Sequence, residues 1–398
     1  MSELSYLKKL LNGVDVEWKK LDDVGEFLRG KRFVKTDIIP QGVPCIHYGE
    51  LYTHYGICTE VSRSFLDQGV AEKLRVANYG DVIIVAAGET IEDIGNGTAW
   101  LGKKNVVFHD ACFSFKSKLN PKYISYFLRT QAFKEQIKSS ISSGKVSSIN
   151  AKGLGKAKIP IPCPDNPEKS LAIQSEIVRI LDKFAAITDE LTAELDIRKK
   201  QYKHYQFEIL KFTKTTKYLK IEECCEIKKG ITPIKKVIPG EYPLVATTEE
   251  RQSSSTYQFD CAAVCVPLIS SRGHGVASID RIFFQDGKFA LGNILCAIIP
   301  IDDKVLSAKF LRHYLFDKKD VLLVPLMRGG ANVSLTVSSL NKLEIPIPPI
   351  AEQQRIVRIL DKYDELVKGL PREIELRQKQ YEYYRDLLFS FPKPDAVN

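Results

Sequence analysis

The stretch Ile177-Val-Arg-Ile-Leu-Asp-Lys-Phe184 recurs as Ile356-Val-Arg-Ile-Leu-Asp-Lys-Tyr363, 179 residues further along the 398-residue chain, from position 177 to position 356. A longer stretch repeats at the same offset, because Glu194-Leu-Asp-Ile-Arg-Lys-Lys-Gln-Tyr-Lys-His-Tyr205 returns as Glu373-Ile-Glu-Leu-Arg-Gln-Lys-Gln-Tyr-Glu-Tyr-Tyr384. An internal repeat constrains the whole architecture before any local pattern does. The chain is therefore predicted to contain two copies of one unit.

Shorter matching blocks lie around the two long ones. They pair Trp18–Val24 with Tyr218–Cys224, Asn120–Leu128 with Ser307–Leu315, and Ile159–Pro162 with Ile345–Pro348. The offset between the copies falls from 200 residues at Trp18 and Tyr218 to 179 in the long blocks, so insertions lie between the matched blocks. The predicted order is a variable module, a long alike helix, a second variable module and a second alike helix.

The two alike segments carry apolar residues at heptad spacing, which is typical of a coiled coil. In the first segment Leu181, Thr188, Leu195, Tyr202 and Ile209 are seven apart, and Phe184, Leu191, Arg198 and Tyr205 follow the first four by three residues. In the second the same positions hold Leu360, Val367, Ile374, Tyr381 and Leu388, with Tyr363, Leu370, Arg377 and Tyr384. We expect two helices of about 40 residues, each about 60 Å long.

An alternative to the coiled coil stays open at this point. Each segment also fits an amphipathic helix that packs only within its own domain. Pro371 predicts a kink or break in the second helix, because an interior proline removes a backbone hydrogen bond and clashes with the preceding turn. The first segment has no proline at the matching place.

Short apolar runs between glycine-rich turns predict β-strands in the modules. These runs are Val82–Gly88, Val106–Phe108, Ala262–Ile269 and Leu295–Ile299, whereas Lys122–Ile137 and Lys309–Phe316 have helical patterns. The predicted fold class is therefore α+β, with two mixed α/β modules separated by two long helices in a pseudo-twofold internal repeat. The order of the strands within each module does not follow from the sequence.

The composition excludes several classes of protein. An apolar share of 44% is too high for a disordered chain, and no apolar run approaches the roughly 20 residues that span a bilayer. The N-terminus has no secretory pattern, and nine scattered cysteines do not form a disulfide framework. We expect a soluble cytoplasmic protein with no membrane association.

The net charge of +9 is unevenly distributed. Residues 1–164 carry 23 basic and 17 acidic side chains, and residues 216–349 carry 17 and 14, whereas the segments 165–215 and 350–398 are balanced. The whole excess lies in the two variable modules. A basic module suits contact with phosphate, and a balanced helix suits packing against protein.

Two pairs of loops are candidates for contact with nucleic acid. One pair, Ser142–Asn150 and Arg328–Thr336, precedes the Ile-Pro-Ile-Pro strand in both copies, and the other is Gly88–Gly97 and Ser270–Gly275. Their cations and short polar side chains can bond to bases or phosphate. The candidates are Lys145, Ser147, Asn150, Arg272, His274, Arg328, Asn332 and Ser334. Ordinary turn chemistry also accounts for glycine, serine and asparagine in such loops.

A search for catalytic motifs finds no complete one. Asn120-Pro-Lys-Tyr123 departs from the Asn/Asp-Pro-Pro-Tyr motif of amino-methyltransferases, and it instead predicts a helix start with Asn120 as N-cap. Gly144-Lys145 lacks the rest of a phosphate-binding loop. Cys45, His47, His54 and Cys58 match no common zinc spacing. The sequence therefore gives no active site, no metal site and no catalytic residue.

The order of the blocks and their wording resemble the specificity subunits of type I restriction–modification enzymes over nearly the whole chain. The stretches that carry the resemblance are Glu17–Val24, Ile345-Pro-Ile-Pro-Pro-Ile-Ala-Glu-Gln-Gln-Arg-Ile-Val357 and Arg377–Leu388. The first copy departs from this pattern, since its Glu-Gln-Gln-Arg element reads Ala172-Ile-Gln-Ser-Glu176.

The resemblance implies a division of labour. Residues 1–164 and 216–349 would be target-recognition domains, each reading one half of a bipartite double-stranded DNA target. The helices in 165–215 and 350–398 would pack as an antiparallel coiled coil that acts as a spacer of fixed length. They would also dock two modification (methyltransferase) subunits through residues along the seam: Leu181, Phe184, Leu191, Leu195, Tyr202, Leu360, Tyr363, Val367, Ile374 and Tyr381.

The resemblance also implies that this chain binds no cofactor. S-adenosylmethionine would be held by the modification subunits, and ATP with magnesium by the ATP-dependent restriction subunits. Two other readings remain: a helical scaffold that binds only proteins, and a catalytic DNA methyltransferase.

Overall fold

The structure, a computed structural model, describes residues 13–142, 144, 146–213, 215–234, 237–248, 252–271, 279–329 and 332–391. Contacts divide the chain into two compact units. Unit 1 holds the described residues up to Leu191 and those from Glu373 onward, and unit 2 runs from Thr192 to Arg372. Both divisions fall inside the long helices rather than at their predicted ends. Each unit therefore contains one module and a part of each helix.

The first module and the helix after it form the earlier part of the chain. The strands are β1 Val16–Lys20, β2 Gly25–Arg29, β3 Ile38–Ile39, β4 Val43–Ile46, β5 Cys58–Thr59, β6 Ser64–Leu66, β7 Val76–Ala77, β8 Val82–Val85, β9 Ala87–Gly88, β10 Gly97–Trp100, β11 Val106–Phe108, β12 Cys112–Ser117, β13 Ser147–Ser148 and β14 Lys158–Pro162. The helices are α1 Leu21–Val24, α2 Glu50–Thr53, α3 Gln68–Ala71, α4 Pro121–Phe127, α5 Gln131–Ile137, α6 Ala151–Gly155 and the long α7 Pro167–Ile209.

The second module and its helix follow. The strands are β15 Tyr218–Lys220, β16 Cys225–Lys229, β17 Tyr242–Val245, β18 Gln252–Ser254, β19 Phe259–Asp260, β20 Ala263–Pro267, β21 Ile269–Ser271, β22 Phe283–Gln285, β23 Lys288–Leu291, β24 Leu295–Pro300, β25 Arg328–Gly329, β26 Asn332–Ser334 and β27 Glu344–Pro346. The helices are α8 Ile221–Cys224, α9 Ala308–Leu322, α10 Val337–Asn341 and the long α11 Ile350–Leu388.

The two modules share one sheet topology. The main sheets of unit 1 are ordered β2-β12-β8-β10-β5 and β3-β6-β4-β11-β7, and those of unit 2 are ordered β16-β24-β20-β22 and β18-β17-β23-β19. The strands correspond one to one, except that β3 and β5 are edge strands without a counterpart in the described part of unit 2. Each second sheet contains one parallel pair, β4 with β11 and β17 with β23. The insertions predicted from the drifting offset thus include additions at sheet edges.

The core of each module forms around the predicted apolar runs. Every residue of β8 and of β20 is buried, as expected for central strands that are covered on both faces. The helix predicted over Lys122–Ile137 is interrupted after Phe127, and the Thr130 hydroxyl caps the second part by accepting a hydrogen bond from the Phe133 N–H at 3.2 Å. In unit 2 the matching segment is one continuous helix, α9.

A short antiparallel ladder closes each module with the same register. In unit 1 the ladder joins β1 to β14 and sets Trp18 opposite Pro160. In unit 2 it joins β15 to β27 and sets Tyr218 opposite Pro346. These are blocks that the sequence matches between the copies, so the repeat is confirmed in three dimensions. The beginning and the end of each module meet directly before its long helix.

The two long helices follow the predicted heptad seam. All ten seam residues predicted for docking are buried or partly buried. In unit 1 the Phe184 and Tyr384 rings stack with centroids 4.9 Å apart, and in unit 2 the Tyr202 and Tyr363 centroids are 6.0 Å apart. Later residues of α7 thus pair with earlier residues of α11, and the antiparallel coiled coil is confirmed.

The expectation of a break at Pro371 is wrong, because α11 continues through this residue. Proline costs a helix interior about 3 kcal/mol through one lost hydrogen bond and a local clash. The seam residues before and after Pro371 offset this local cost by burying their apolar side chains. The Pro371 ring itself lies on the exposed side of the helix.

Candidate nucleic-acid interface

The structure brings the two candidate loops of each module together. In unit 1, β9 pairs antiparallel with β13, so that Gly88 lies opposite Ser147. In unit 2, β21 pairs with β26 and sets Ser270 opposite Val333, while β25 adds a third strand. The loop residues lie far apart in sequence but form one small sheet in each unit. In each unit this small sheet is the candidate interface, and it is called here the loop sheet of that unit.

The side chains of the loop sheet in unit 1 are less available than the sequence suggests. Ser147 is only 5% exposed, because the strand turns this residue inward. Asn150 is exposed, but its Oδ1 accepts a hydrogen bond from the Gly153 N–H at 2.8 Å and caps α6. Lys145 lies outside the described residues. Ser147 is therefore not available at the surface, and the Asn150 Oδ1 is used to cap α6.

Unit 2 offers more exposed polar groups. Arg328 is exposed, and its Nη1 donates to the Pro325 carbonyl at 2.8 Å, which leaves the rest of the guanidinium fork for other partners. Ser334 is also exposed, and its hydroxyl donates weakly to the Arg328 carbonyl at 3.4 Å. Arg272 and His274 lie outside the described residues, as does the side chain of Asn332. Arg328 and Ser334 are thus the described surface groups of this loop sheet.

A shared capping device was missed in the sequence. Thr336 caps α10 by accepting a hydrogen bond from the Ser339 N–H at 3.1 Å, as Asn150 caps α6. Each loop sheet therefore leads into a short capped helix. The signal was available, because asparagine and threonine before a short apolar run are preferred N-caps.

A half-buried lysine behind the loop Glu89–Asn96 was also missed. The Lys134 Nζ donates to the Glu92 carbonyl, the Ile94 carbonyl and the Asn96 Oδ1, each at 2.8 Å. Burial lowers the pKa of Lys134 to about 7, and the nearby Arg129 adds to the shift. A lysine within a helical pattern is usually a solvated residue, so no pattern in the sequence indicated this contact.

A carboxylate on each long helix holds the module that precedes that helix. In unit 1, Asp182 accepts hydrogen bonds from the Tyr126 hydroxyl at 2.7 Å and from Lys122. In unit 2, Asp361 is bonded by the His313 Nε2 at 2.8 Å and by the Lys309 ammonium at 3.4 Å. These three-residue sets, called here the clamps, stand at matching positions of the repeat.

A buried glutamine joins the same elements. The Gln174 Oε1 accepts from the Asn120 N–H at 2.9 Å, and the Gln353 Oε1 accepts from the Ser307 N–H at 2.9 Å. Both side chains are fully buried. Gln353 belongs to the Glu-Gln-Gln-Arg element, so the departing first copy retains the glutamine that makes the structural contact.

The residues considered for zinc form a different environment. Cys45 is buried, and burial raises the pKa of its thiol to about 12, so the thiol stays protonated. The His47 ring packs near His109 with centroids 4.8 Å apart. Among the described residues, no group of three or more His, Cys, Asp or Glu side chains is placed to hold a metal ion. Within the same part of the chain, no helix is long and apolar enough to cross a membrane.

The sequence matches the family described as the type I restriction modification DNA specificity domain, over residues 13–198 and again over residues 213–376. The specificity subunit of the type I restriction enzyme EcoR124I/EcoR124II from Escherichia coli is 35% identical, and the alignment covers 100% of both chains. A putative type I restriction enzyme specificity subunit from Haemophilus influenzae is 30% identical over 97% of this chain and 98% of its own.

A solved structure agrees on the fold. The S subunit of a type I restriction–modification system from M. genitalium has a TM-score of 0.58 at 14% identity, covering 96% of this chain and 98% of the other. With two family matches and full-length relatives, the chain belongs to the type I restriction–modification DNA specificity family. It is a specificity subunit, the non-catalytic component that recognises the DNA target. The readings as a protein scaffold and as a catalytic methyltransferase find no support.

Proposed function

We propose that each unit reads one half of a bipartite, asymmetric DNA target. The observation that carries this proposal is that one frame, closed by the same ladder register, presents two different loop sheets. A repeated frame holds both loop sheets in equivalent positions. Different side chains on the two loop sheets then select different bases, which makes the target asymmetric.

The chemistry of unit 2 suits direct readout of a base pair. An arginine with free donors can bond guanine O6 and N7 at once, and such a pair discriminates against a wrong base by about 1–3 kcal/mol. Arg328 is the exposed cation of the loop sheet, and Ser334 lies directly opposite it in the ladder. The charge excess of both modules adds contacts to phosphate that carry no sequence information.

The test replaces Arg328 and Ser334 by alanine and leaves the buried Val333 and the capping Thr336 intact. Methylome sequencing of cells that carry the variant should show relaxed recognition, about tenfold or more at a contacted base, in one half-site only. Lys304→Ala removes an exposed cation of the same unit outside the loop sheet and is the matched control. Relaxation of both half-sites, or of neither, would contradict modular reading.

We propose that the two helices dock two modification subunits. Exposed large apolar residues on α7 recur on α11 at the repeat offset, since Ile187 corresponds to Leu366 and Ile197 to Leu376. All four are between 41% and 54% exposed. Unit 1 holds Ile187 and Leu376, and unit 2 holds Ile197 and Leu366. The repeat thus supplies two equivalent apolar surfaces, which suits two copies of one partner.

This docking is tested by counting partners. The pair Ile187→Glu and Leu376→Glu should reduce the complex from two modification subunits to one, and the pair in unit 2 should do the same. Native mass spectrometry measures the stoichiometry. Val61→Glu, at a residue 74% exposed in the first module, is the control. Unchanged stoichiometry in both double variants would overturn the assignment of these surfaces.

The remaining assignments rest on this docking. S-adenosylmethionine belongs to the modification subunits, and ATP with magnesium to restriction subunits that join through them.

The continuity of α7 and α11 supports a role as spacer, and a heptad inserted at matched places in both should lengthen the unspecified gap in the target. All nine cysteines are unpaired, which supports a reducing cytoplasm as the place of action.

A further inference from the structure

The ammonium of Lys134 gathers three oxygen atoms of one loop. Its Nζ lies 2.8 Å from the Glu92 carbonyl, the Ile94 carbonyl and the Asn96 Oδ1. Three donors are what a charged lysine has, so the charged form is fully used here and has no hydrogen left for water. A neutral amine has only two donors and would set a lone pair against one of these oxygens.

The same loop leads directly out of the loop sheet. It begins at Glu89, the residue after β9, and its tip Glu89–Glu92 is exposed. Its base is fixed by packing, because Ile94 is fully buried and Gly95 lies close against Phe133. The backbone bonds from the tip are local, such as Asp93 N–H to the Thr90 carbonyl at 3.3 Å and Ile94 N–H to the Ile91 carbonyl at 3.1 Å. The bond from Lys134 to the Glu92 carbonyl therefore ties the end of the tip to the body of unit 1, while its other two bonds hold the base of the loop.

Charged side chains near Lys134 affect its pKa in opposite directions. Glu92 and Asp93 on the loop attract the ammonium, whereas Arg129 and Arg385 repel it. Burial is the largest influence, and together these effects lower the pKa of Lys134 to about 7. The tip carries Glu89 and Glu92, and carboxylates can accept a hydrogen bond from cytosine N4 but are repelled by phosphate. Such a loop needs to be held at a fixed position to reach a base edge.

We infer that Lys134 is a positioning residue for DNA recognition by unit 1, because its ammonium fixes the loop Glu89–Asn96 whose exposed tip faces the target. This inference rests on the proposed function, in which the loop sheet of unit 1 reads one half-site, and it adds the loop that leads out of that sheet to the surface that contacts DNA. Lys134 itself touches no base. It acts through the three oxygens that it holds.

Unit 2 fastens the corresponding region differently. Lys319 of α9 bonds the Asp280 carboxylate at 3.1 Å and lies 3.6 Å from Asp320. Burial acts to lower the pKa of Lys319, but the hydrogen bond and charge of Asp280 raise it above its usual value. Lys319 therefore keeps its charge through the neutral range, and the second half-site provides an internal control for the first.

The experiment uses the full chain assembled with its modification subunits and DNA duplexes that carry single base changes in one half-site. Discrimination is the ratio of methylation rates on the correct and the altered duplex. Lys134→Met should reduce discrimination in the first half-site about tenfold and leave the second unchanged. Lys134→Arg keeps a permanent charge and should retain most of the discrimination. Lys138→Met, in the turn after α5, is the matched control.

The dependence on pH separates positioning from stability. In the wild type, discrimination in the first half-site should fall as the pH rises through about 7, and in Lys134→Arg it should stay level. Stability should move the opposite way, because a lysine whose folded pKa is lowered destabilises the fold below that pKa and this penalty disappears as the pH rises. A purely structural lysine would make both quantities move together.

The outcomes distinguish this inference from the proposed function. Glu89→Ala with Glu92→Ala changes the tip alone, and if it leaves the first half-site unaltered, the loop does not contact DNA and this inference fails. The reading of half-sites by the loop sheets is tested separately, by the Arg328 and Ser334 variant and by its effect on one half-site only. If the tip variant alters recognition but Lys134→Met does not, the positioning role alone is overturned. Should Lys134→Met fail to fold, the wild type and Lys134→Arg decide the matter. A level wild-type pH profile then refutes the inference.

Discussion

Unit 1 and unit 2 are most alike where each module meets a long helix and least alike where each presents its loops. The ladder registers match, the buried glutamines match, and the clamp carboxylates stand at the same offset as the helix repeat. The edge strands and loop sheets differ. The difference shows that the attachment of a module to its helix is the same in both units, while the surface proposed to read DNA differs.

The clamps show the same contrast on a smaller scale. Both use an aspartate of the helix and a lysine of the module, but the third member is Tyr126 in unit 1 and His313 in unit 2. In unit 2 the Arg312 Nη1 donates a hydrogen bond to the His313 Nδ1 at 3.2 Å. The neutral histidine therefore carries its proton on Nε2, which donates a hydrogen bond to Asp361. The attachment is equivalent in geometry, but only the second clamp contains a histidine, and burial lowers the pKa of its imidazole.

The largest effects are expected where backbone meets backbone. A Cβ atom at Gly30 would lie 2.1 Å from the His109 carbonyl oxygen, and one at Gly230 would lie 2.2 Å from that of Gly292. Gly30→Ala and Gly230→Ala should each destabilise their own unit by about 3 kcal/mol, because neither backbone can yield without strain. Hydrogen exchange in β8 and β20 measures the two units separately.

Gly56→Ala is the control for this pair, since a Cβ atom there meets nothing within 4 Å. Equal losses would support one frame built twice. A neutral effect at either glycine would break the comparison between the units.

The buried glutamines should give the next largest effects. Gln353→Ala leaves the Ser307 N–H and the carbonyls of Val305 and Pro348 without partners, whereas Gln174→Ala affects the Asn120 N–H and the Ser170 hydroxyl. We expect a loss of about 2 kcal/mol for Gln174→Ala and about 1 kcal/mol more for Gln353→Ala. A urea titration in which hydrogen exchange is measured separately in unit 1 and in unit 2 gives the loss of stability for each variant. The exposed Gln354→Ala is the control, and a larger loss in unit 1 would reverse the expected order.

The smallest effect concerns acid stability. Burial lowers the pKa of His313, and Arg312 adds to the shift, so the unfolded chain takes up a proton at a higher pH than the folded one. Unit 2 should therefore lose stability as the pH falls below about 6.5, by at most about 1.4 kcal/mol per pH unit for one proton. His313→Tyr copies the clamp of unit 1 and should remove that slope.

The stability of unit 1 cannot serve as a pH-independent reference in this test, because burial also lowers the pKa of His47 and of His109. The measurement is hydrogen exchange of unit 2 in the wild type and the variant between about pH 5 and about pH 7. Identical slopes in the two proteins would remove the histidine from the account of this clamp.

The sequence was sufficient for the features that repeat. The heptad seam, the central strands and the matched blocks follow from period and composition, and all appear in the structure. Pro371 was misjudged because the local rule for proline takes no account of a seam that continues on both sides.

The roles of individual side chains were less predictable. Ser147 is buried because strand pairing decides which face it takes, and that pairing joins residues far apart in the chain. Lys134 reaches loop oxygens about 40 positions away, a contact that no local pattern encodes. The cap at Asn150 was within reach, since it depends only on adjacent residues.

The most direct test of the central claim is to build the same module twice. In this variant Tyr218–Pro346 is replaced by a second copy of Trp18–Pro160, so that the junctions fall at residues that occupy equivalent places in the two ladders. Methylome sequencing of cells carrying the variant should reveal a symmetric target, with the first half-site present twice in inverted orientation. A target that still contains two different half-sites would contradict the account.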